Sequence, residues 1–149
     1  MIAVIQRVGE ARVSVDGKVI GKIGPGLLIL LGVAKGDGEG EIKYLADKIV
    51  NLRIFDNEEG RFDRSLVDIQ GEALVVSQFT LLGDWRKGRR PGYDSAQAPA
   101  LAEPLVENFV EQMRSLGVTT NTGQFGAHMD VELINDGPVT FVVDTARLK

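Results

Sequence analysis

The segment Leu27–Val33 constrains the fold more than any other stretch, because it is a continuous apolar run of strand length. Turn-forming sequences bound it on both sides, Gly24-Pro25-Gly26 before it and Lys35-Gly36-Asp37-Gly38 after it. A short apolar run between turns is typical of a strand buried on both faces rather than of a helix. The run therefore predicts a strand in the middle of a sheet.

Alternating apolar side chains predict strands at residues 2–8 and 11–15. Asp16-Gly17 readily supplies the positive φ angles of a tight hairpin turn. We therefore expect Arg12–Val15 to pair antiparallel with Lys18–Ile23. Further strands are predicted at residues 53–55, 73–82, 118–122, 129–134 and 139–143.

Helical periodicity occurs twice. The first apolar stripe has the i, i+3, i+4 and i+7 spacing of an amphipathic helix that covers one sheet face, and it consists of Ile42, Leu45, Ala46, Ile49 and Leu52. The second stripe, between Ser95 and Leu116, consists of Leu101, Leu105, Phe109 and Met113, and Gly117 is its stop signal. Pro104 either kinks this second helix or marks its true first turn.

Roughly seven or eight predicted strands against two helices, without regular β-α alternation, exclude a Rossmann arrangement. The chain has no internal repeat and no linker. We predict one α+β domain spanning residues 1–149, mostly antiparallel and barrel-like, with two outer helices.

Composition removes several kinds of chemistry. The chain has no Cys and one His, which excludes thiolate nucleophiles and argues against a His-rich metal site within one chain. It also lacks GxGxxG and GxxxxGK[ST] loops, so we expect no metal and no cofactor. No apolar run approaches the roughly 20 residues of a membrane span, and Met1–Arg7 lacks the basic head of a signal peptide. We therefore expect a cytoplasmic protein without a membrane partner.

Ser77-Gln78-Phe79-Thr80 places polar side chains at the end of an apolar strand, where polar groups cost free energy unless they are hydrogen-bonded. Two interpretations are open. Either the side chains satisfy nearby backbone groups, or they form a pocket in which Gln78 and backbone N–H groups hold a polarised carbonyl while a hydroxyl is positioned. A Ser-His-Asp triad would need His128, and no spacing links it to Ser77.

Two further segments have a structural and a functional interpretation. Asn135-Asp136-Gly137-Pro138 is favoured as a β-turn, but a rigid Gly-cis-Pro unit there would present fixed carbonyls to a ligand. Four cations follow Trp85, namely Arg86, Lys87, Arg89 and Arg90, and Tyr93 comes soon after. In a chain with a net charge of −4 this is typical of a phosphate-binding patch with a stacking surface, although a solvated loop needs no function.

Together these motifs, with the opening Ile5-Gln6-Arg7-Val8 and the apolar run at 26–33, closely resemble the D-aminoacyl-tRNA deacylase family over nearly the whole chain. The resemblance implies a cytoplasmic homodimer that hydrolyses the ester between tRNA and a D-amino acid or glycine. Its partners would be that tRNA and a second copy of the chain, and no DNA is expected.

The resemblance also implies residue roles. Ser77, Gln78, Phe79 and Thr80 match the catalytic strand, and Gly137 and Pro138 match a Gly-cis-Pro motif that enters the partner subunit and rejects L-amino acids sterically. The remaining matches are Arg7 as the residue holding that motif, Phe125 and Met129 near the terminal adenosine, and Arg86, Lys87, Arg89 and Arg90 on the tRNA backbone. Taken alone, Phe125 and Met129 would be assigned to the core. Gly92, where the family leads us to expect Ser, and His128 are departures.

The resemblance implies catalysis assisted by the 2′-OH of the terminal ribose, without a protein base. Three alternatives remain open at this stage. They are an editing module for an L-amino acid with a trans Gly137-Pro138 bond, a non-catalytic nucleic-acid-binding dimer, and a small-molecule hydrolase with Thr80 as nucleophile.

Overall fold

The computed structural model describes residues 1–148, and Lys149, the last residue of the predicted domain, lies outside them. The strands are β1 Ile2–Val15, β2 Lys18–Ile23, β3 Gly26–Gly32, β4 Phe55–Asp56, β5 Phe62–Arg64, β6 Glu72–Ser77, β7 Thr120–Thr122 and β8 Asp130–Asp144. The helices are α1 Glu39–Asn51 and α2 Pro99–Ser115, and short 3-10 helices cover Phe79–Leu82 and Thr145–Leu148. The α+β class is confirmed.

The main sheet has the strand order β2-β1-β3-β6-β7, and β8 pairs with β1. The sheet is mixed rather than simply antiparallel, because β6 runs parallel to both β3 and β7. The sheet curls until β2 meets β7, where the Asn121 side chain donates to the Lys22 carbonyl at 2.7 Å. At the same seam a Cβ on Gly21 would lie 2.7 Å from the Thr122 carbonyl oxygen, so glycine permits the close approach. The result is a nearly closed barrel.

The predicted hairpin and central strand are confirmed. Asp16 and Gly17 have φ angles of 51° and 78°, and Val15 pairs with Lys18 across the turn. Strand β3 lies between β1 and β6 and is buried along its length except at the half-buried Leu30.

Alternation along β3 explains why the run is apolar at nearly every position. Leu27, Ile29 and Leu31 join the cluster beneath the helices, whereas Leu28 joins a second cluster on the opposite face of the sheet. The helices supply Leu45, Ile49, Phe109 and Met113 to the first cluster, and the second contains Val13, Ile23, Leu74 and Val76. Full burial of one such side chain stabilises the fold by roughly 1.5–3 kcal/mol.

The second helix begins later than predicted. Residues 95–98 are not helical, and α2 begins at Pro99. Proline suits the first helical position, and it disfavours helical geometry at the residue before it, here Ala98. Pro104 lies inside the helix, so it does not mark the first turn.

The predicted strand 73–82 is too long, because β6 ends at Ser77 and a 3-10 helix follows. The neighbouring strand β3 ends at Gly32, where a Cβ would lie 2.6 Å from the Leu82 side chain. The 3-10 helix that follows β6 therefore crosses the end of β3 at this point. The predicted strand 53–55 is displaced to Phe55–Asp56, and 118–122 is shortened to Thr120–Thr122.

The predicted turn at Asn135–Pro138 is also wrong, because it does not separate two strands. β8 is continuous, and it pairs with β1 through Val8–Asn135 and Gln6–Thr140. Four residues of β8, numbers 136–139, therefore lie opposite the single residue Arg7. We call residues 136–139 the β8 bulge.

No helix among residues 1–148 is long and apolar enough to cross a membrane.

Candidate active site

A cavity of about 580 Å³ opens where β6 ends, between α2 and the loop that precedes β8. Its wall includes five of the residues proposed from the sequence, namely Ser77, Gln78, Phe79, Phe125 and Met129. The apolar part of the wall comes from the sheet and the helix, through Leu31, Val76, Ala102 and Val106. A concave, mainly apolar site with a few polar groups is typical of a small-ligand pocket.

The polar end of β6 forms one edge of this cavity. Ser77 and Gln78 are half-buried, and the Phe79 ring is 59% exposed. Phe79 meets the Tyr93 ring edge-on at 5.0 Å between centroids, and both rings line the cavity. Thr80 is exposed and does not contribute to the wall, but its hydroxyl accepts a hydrogen bond from the Gln78 side-chain amide.

The opposite edge is the loop before β8. Phe125 packs against the cluster beneath the helices, and Met129 packs against the cluster on the other face of the sheet. A Cβ on Gly123 would lie 2.5 Å from the Met129 sulfur, so glycine makes room for this side chain. His128 also lines the cavity, is 95% exposed, and lies 4.0 Å from an Asp130 carboxylate oxygen.

The β8 bulge is held by Arg7, which is buried. The Arg7 Nε donates to the Asp136 carbonyl at 2.9 Å and lies 3.2 Å from the Asp136 carboxylate. The Arg7 Nη1 donates to the Ile54 carbonyl at 2.9 Å and to the Asp56 carboxylate at 3.3 Å. One guanidinium therefore joins the bulge to β4. The Gly137–Pro138 peptide bond within the bulge is cis.

Two further side chains complete this cluster. The Phe62 ring on β5 lies under the Arg7 guanidinium, 5.6 Å from it. The Asn135 side chain donates to the Arg7 carbonyl at 2.9 Å and to the Val139 carbonyl at 3.2 Å, which closes the base of the bulge. Sequence reasoning missed Asp56 and Phe62, because no local pattern connects them with residues so distant along the chain.

The structure therefore places the predicted residues in two groups. Ser77, Gln78, Phe79, Phe125 and Met129 share the cavity. Gly137 and Pro138 lie in the β8 bulge, which Arg7 holds, and none of these three residues lines the cavity. Among residues 1–148, no three His, Cys, Asp or Glu side chains are grouped so as to hold a metal ion.

The four predicted cations lie on a folded loop beside the cavity. The loop is closed by backbone hydrogen bonds in both directions between Asp84 and Gly92, at 2.7 and 2.9 Å. Arg86 binds the Asp84 carboxylate through two hydrogen bonds of 2.8 Å, and these bonds hold the pKa of Asp84 well below its usual range. Lys87, Arg89 and Arg90 are exposed.

The family model and the similar named proteins all indicate one family. Residues 4–144 match the family model described as D-Tyr-tRNA(Tyr) deacylase. Proteins named D-aminoacyl-tRNA deacylase are 62% identical in Roseiflexus castenholzii and 56% identical in Thermosipho africanus. The first match covers 98% of this chain and 93% of the relative, and the second covers 99% of both.

Solved structures match over nearly the whole chain as well. A structure named c-Myc DNA Unwinding Element Binding Protein superposes with a TM-score of 0.93 at 40% identity, covering 97% of this chain and 99% of the other. A structure described as a probable eukaryotic D-amino acid tRNA deacylase superposes with a TM-score of 0.77 at 16% identity, covering 95% and 98%, which shows a shared fold.

Proposed function

The chain belongs to the D-aminoacyl-tRNA deacylase family and is an aminoacyl-tRNA ester hydrolase, and we propose that it cleaves the ester in the cavity at the end of β6. The observation that carries this proposal is the gathering of Ser77, Gln78 and Phe79 opposite Phe125 and Met129 around one opening. The terminal adenosine binds between Phe125 and Met129, and the ester carbonyl faces the end of β6. The substrate carries a D-amino acid or glycine.

Catalysis at this site depends more on the orientation of the ester carbonyl than on a strong base. An aminoacyl ester is already activated, and the neighbouring 2′-OH of the terminal ribose assists attack on the carbonyl. Backbone N–H groups at the end of β6 are assigned to stabilise the developing oxyanion. The Gln78 side chain borders the same space.

Stereochemical selection is assigned to the β8 bulge of a second subunit. In this arrangement Gly137–Pro138 of one subunit reaches the cavity of the other, and its backbone occupies the space that an L side chain would need. Glycine and D-amino acids have no side chain in that direction. Rejection by collision suits the task, because attractive contacts discriminate by only about 1–3 kcal/mol per methylene. Both residues are exposed, and neither lines the cavity of its own chain, which supports the cross-subunit arrangement.

The exposed edge of β8 supports a homodimer. Within residues 1–148 this strand of 15 residues pairs only with β1, and Ile134 and Val142 on it are 59% and 55% exposed. A long unpaired edge with apolar side chains is a natural surface for a second chain.

We expect a variant with Ile134→Lys and Val142→Lys to be monomeric by light scattering and to lose most deacylase activity, because buried, unpaired ammonium groups would oppose association. The matched control is Val19→Lys with Ile20→Lys, which changes another exposed apolar pair, on β2, and should stay dimeric and active. A folded monomer with full activity would contradict the cross-subunit site.

The four cations Arg86, Lys87, Arg89 and Arg90 are proposed to contact the phosphates of the tRNA acceptor end. The whole chain has a net charge of −4, so attraction for a polyanion has to be local.

The function is tested with D-tyrosyl-tRNA and L-tyrosyl-tRNA at equal, catalytic amounts of enzyme. We expect rapid loss of the D ester while the L ester decays at its rate in buffer. Cleavage of both esters would contradict the steric filter, and cleavage of the L ester alone would favour an editing module for L-amino acids.

A second candidate is non-catalytic nucleic-acid binding, favoured by the 40% identical structure whose name refers to DNA binding and by the exposed cationic loop. This function predicts salt-sensitive binding of DNA without turnover of either ester. The tyrosyl-tRNA experiment separates the two candidates, because a binding module leaves both esters intact.

A further inference from the structure

We propose that Trp85 is a stacking platform for an unpaired base of the tRNA 3′ end, on the surface formed by Trp85, Arg86, Lys87, Arg89 and Arg90. We call this surface the Trp85 loop. The proposal rests on the proposed function, because it takes tRNA as the substrate, and it adds a recognition site outside the catalytic cavity.

Trp85 is 77% exposed, more than any other large hydrophobic side chain among the described residues. The exposure belongs to an ordered loop, because the backbones of Asp84 and Gly92 pair on either side of it. Arg86, the next residue, is fixed by its two hydrogen bonds to Asp84. The fold therefore holds a large apolar ring in solvent at a defined place.

The loop continues directly from the cavity edge. The Gly83 N–H donates to the Thr80 carbonyl at 3.0 Å, and a Cβ on Gly83 would lie 3.2 Å from the Tyr93 ring. Tyr93 in turn lines the cavity and contacts Phe79. A strand whose terminal adenosine lies in the cavity would therefore pass its preceding nucleotides over the Trp85 loop.

The charges around the indole favour nucleic acid over an apolar protein partner. Lys87, Arg89 and Arg90 follow Trp85 closely in sequence, are exposed, and form no ion pair with residues 1–148 within 4.0 Å. Cations that track phosphates beside an aromatic ring that stacks on bases are the usual elements of single-strand recognition. A duplex hides the faces of its bases, so the ring selects the unpaired 3′ end.

Intrinsic fluorescence tests the proposal directly, because Trp85 is the single tryptophan of the chain. A short single-stranded RNA ending in CCA is titrated into the protein, with a blunt RNA duplex of equal length as the comparison. We expect saturable quenching by the single strand, weakened by salt, and little quenching by the duplex. A copy of the single-stranded RNA that carries a label reports binding independently of Trp85. Binding of this labelled strand without a change in tryptophan emission would overturn the proposal.

Activity gives a second, independent measurement. Trp85→Ala should lower the ratio of kcat/KM for D-tyrosyl-tRNA to that for D-tyrosyl-adenosine by about tenfold, mainly through KM, and Trp85→Phe should restore it. The control is Tyr44→Ala, which removes another exposed aromatic residue beside a lysine, on α1, and should leave the ratio unchanged. An unchanged ratio in Trp85→Ala would overturn the stacking role.

The two proposals fail in different ways. If the wild-type protein cleaves neither tyrosyl ester, the deacylase function fails, while the fluorescence titration still measures stacking. If single-stranded DNA of the same sequence quenches at tenfold lower concentration than RNA, the Trp85 loop serves the DNA-binding candidate, and the assignment to tRNA is overturned.

Discussion

Arg7→Lys is expected to reduce the preference for D-tyrosyl-tRNA over L-tyrosyl-tRNA by about a hundredfold while the protein remains folded. Arg7 holds the β8 bulge through the Asp136 carbonyl and holds β4 through Ile54 and Asp56. A lysine keeps the charge but cannot span both sides with a planar fork. Loss of two charge-assisted hydrogen bonds, each worth about 1.5–3 kcal/mol, would release the bulge from a fixed position. The measurement is the ratio of kcat/KM for the two esters.

The control for this variant is Arg64→Lys. Arg64 lies on β5, in the hairpin of β4 and β5 that also contains Asp56. It pairs with Glu58 at the surface and does not contact the bulge. We expect its D-to-L ratio and its melting temperature to match the wild type, since exposed ion pairs contribute little. Arg7→Ala is less informative, because it removes a buried side chain together with its hydrogen bonds to the Ile54 and Asp136 carbonyls and is expected to destabilise the fold as a whole. An unchanged ratio in a folded Arg7→Lys protein would contradict the positioning role.

Local sequence patterns predicted those parts of the fold that depend on local chemistry. The turn at Asp16-Gly17, the strand from the apolar run and the helix from the 3.6-residue period each follow from residues close together in the chain. The start of α2 at Pro99 was also readable, because proline favours the first helical position, yet the prediction began the helix at residue 95, although its apolar stripe begins only at Leu101.

The β8 bulge was not predictable in the same way. Asn-Asp-Gly-Pro has the composition of a turn, and a turn between two strands and a bulge within one strand share that composition. What distinguishes them is the pairing of both flanks with β1, on residues more than 115 positions away. The Arg7 contacts with Asp56 and Phe62 are also nonlocal, because about 50 positions of the chain separate the partners.

The cavity was foreseen in part. Polar residues at the end of an apolar strand indicated a site at Ser77 and Gln78, and both line the cavity. The extended strand to residue 82 was an error, because alternation gives no sign that β3 has already ended at Gly32. That error bears on Thr80, which a longer strand would place within the sheet and which the 3-10 helix instead exposes.

A substrate with a 2′-deoxy terminal ribose is expected to be hydrolysed about a hundredfold or more slowly than D-tyrosyl-tRNA, whereas Thr80→Ala should stay within about fivefold of the wild type. General acid–base assistance contributes about 10²–10⁴-fold, and the 2′-OH supplies it in the proposed mechanism. Thr80 does not line the cavity, and its hydroxyl is engaged by the Gln78 amide. Single-turnover rates on both substrates measure the two effects, with Thr80→Ser as the control that keeps a hydroxyl. If Thr80→Ala falls to background while the deoxy substrate remains fast, Thr80 is the nucleophile, and an acyl-enzyme trapped on its hydroxyl would establish that mechanism in place of RNA assistance.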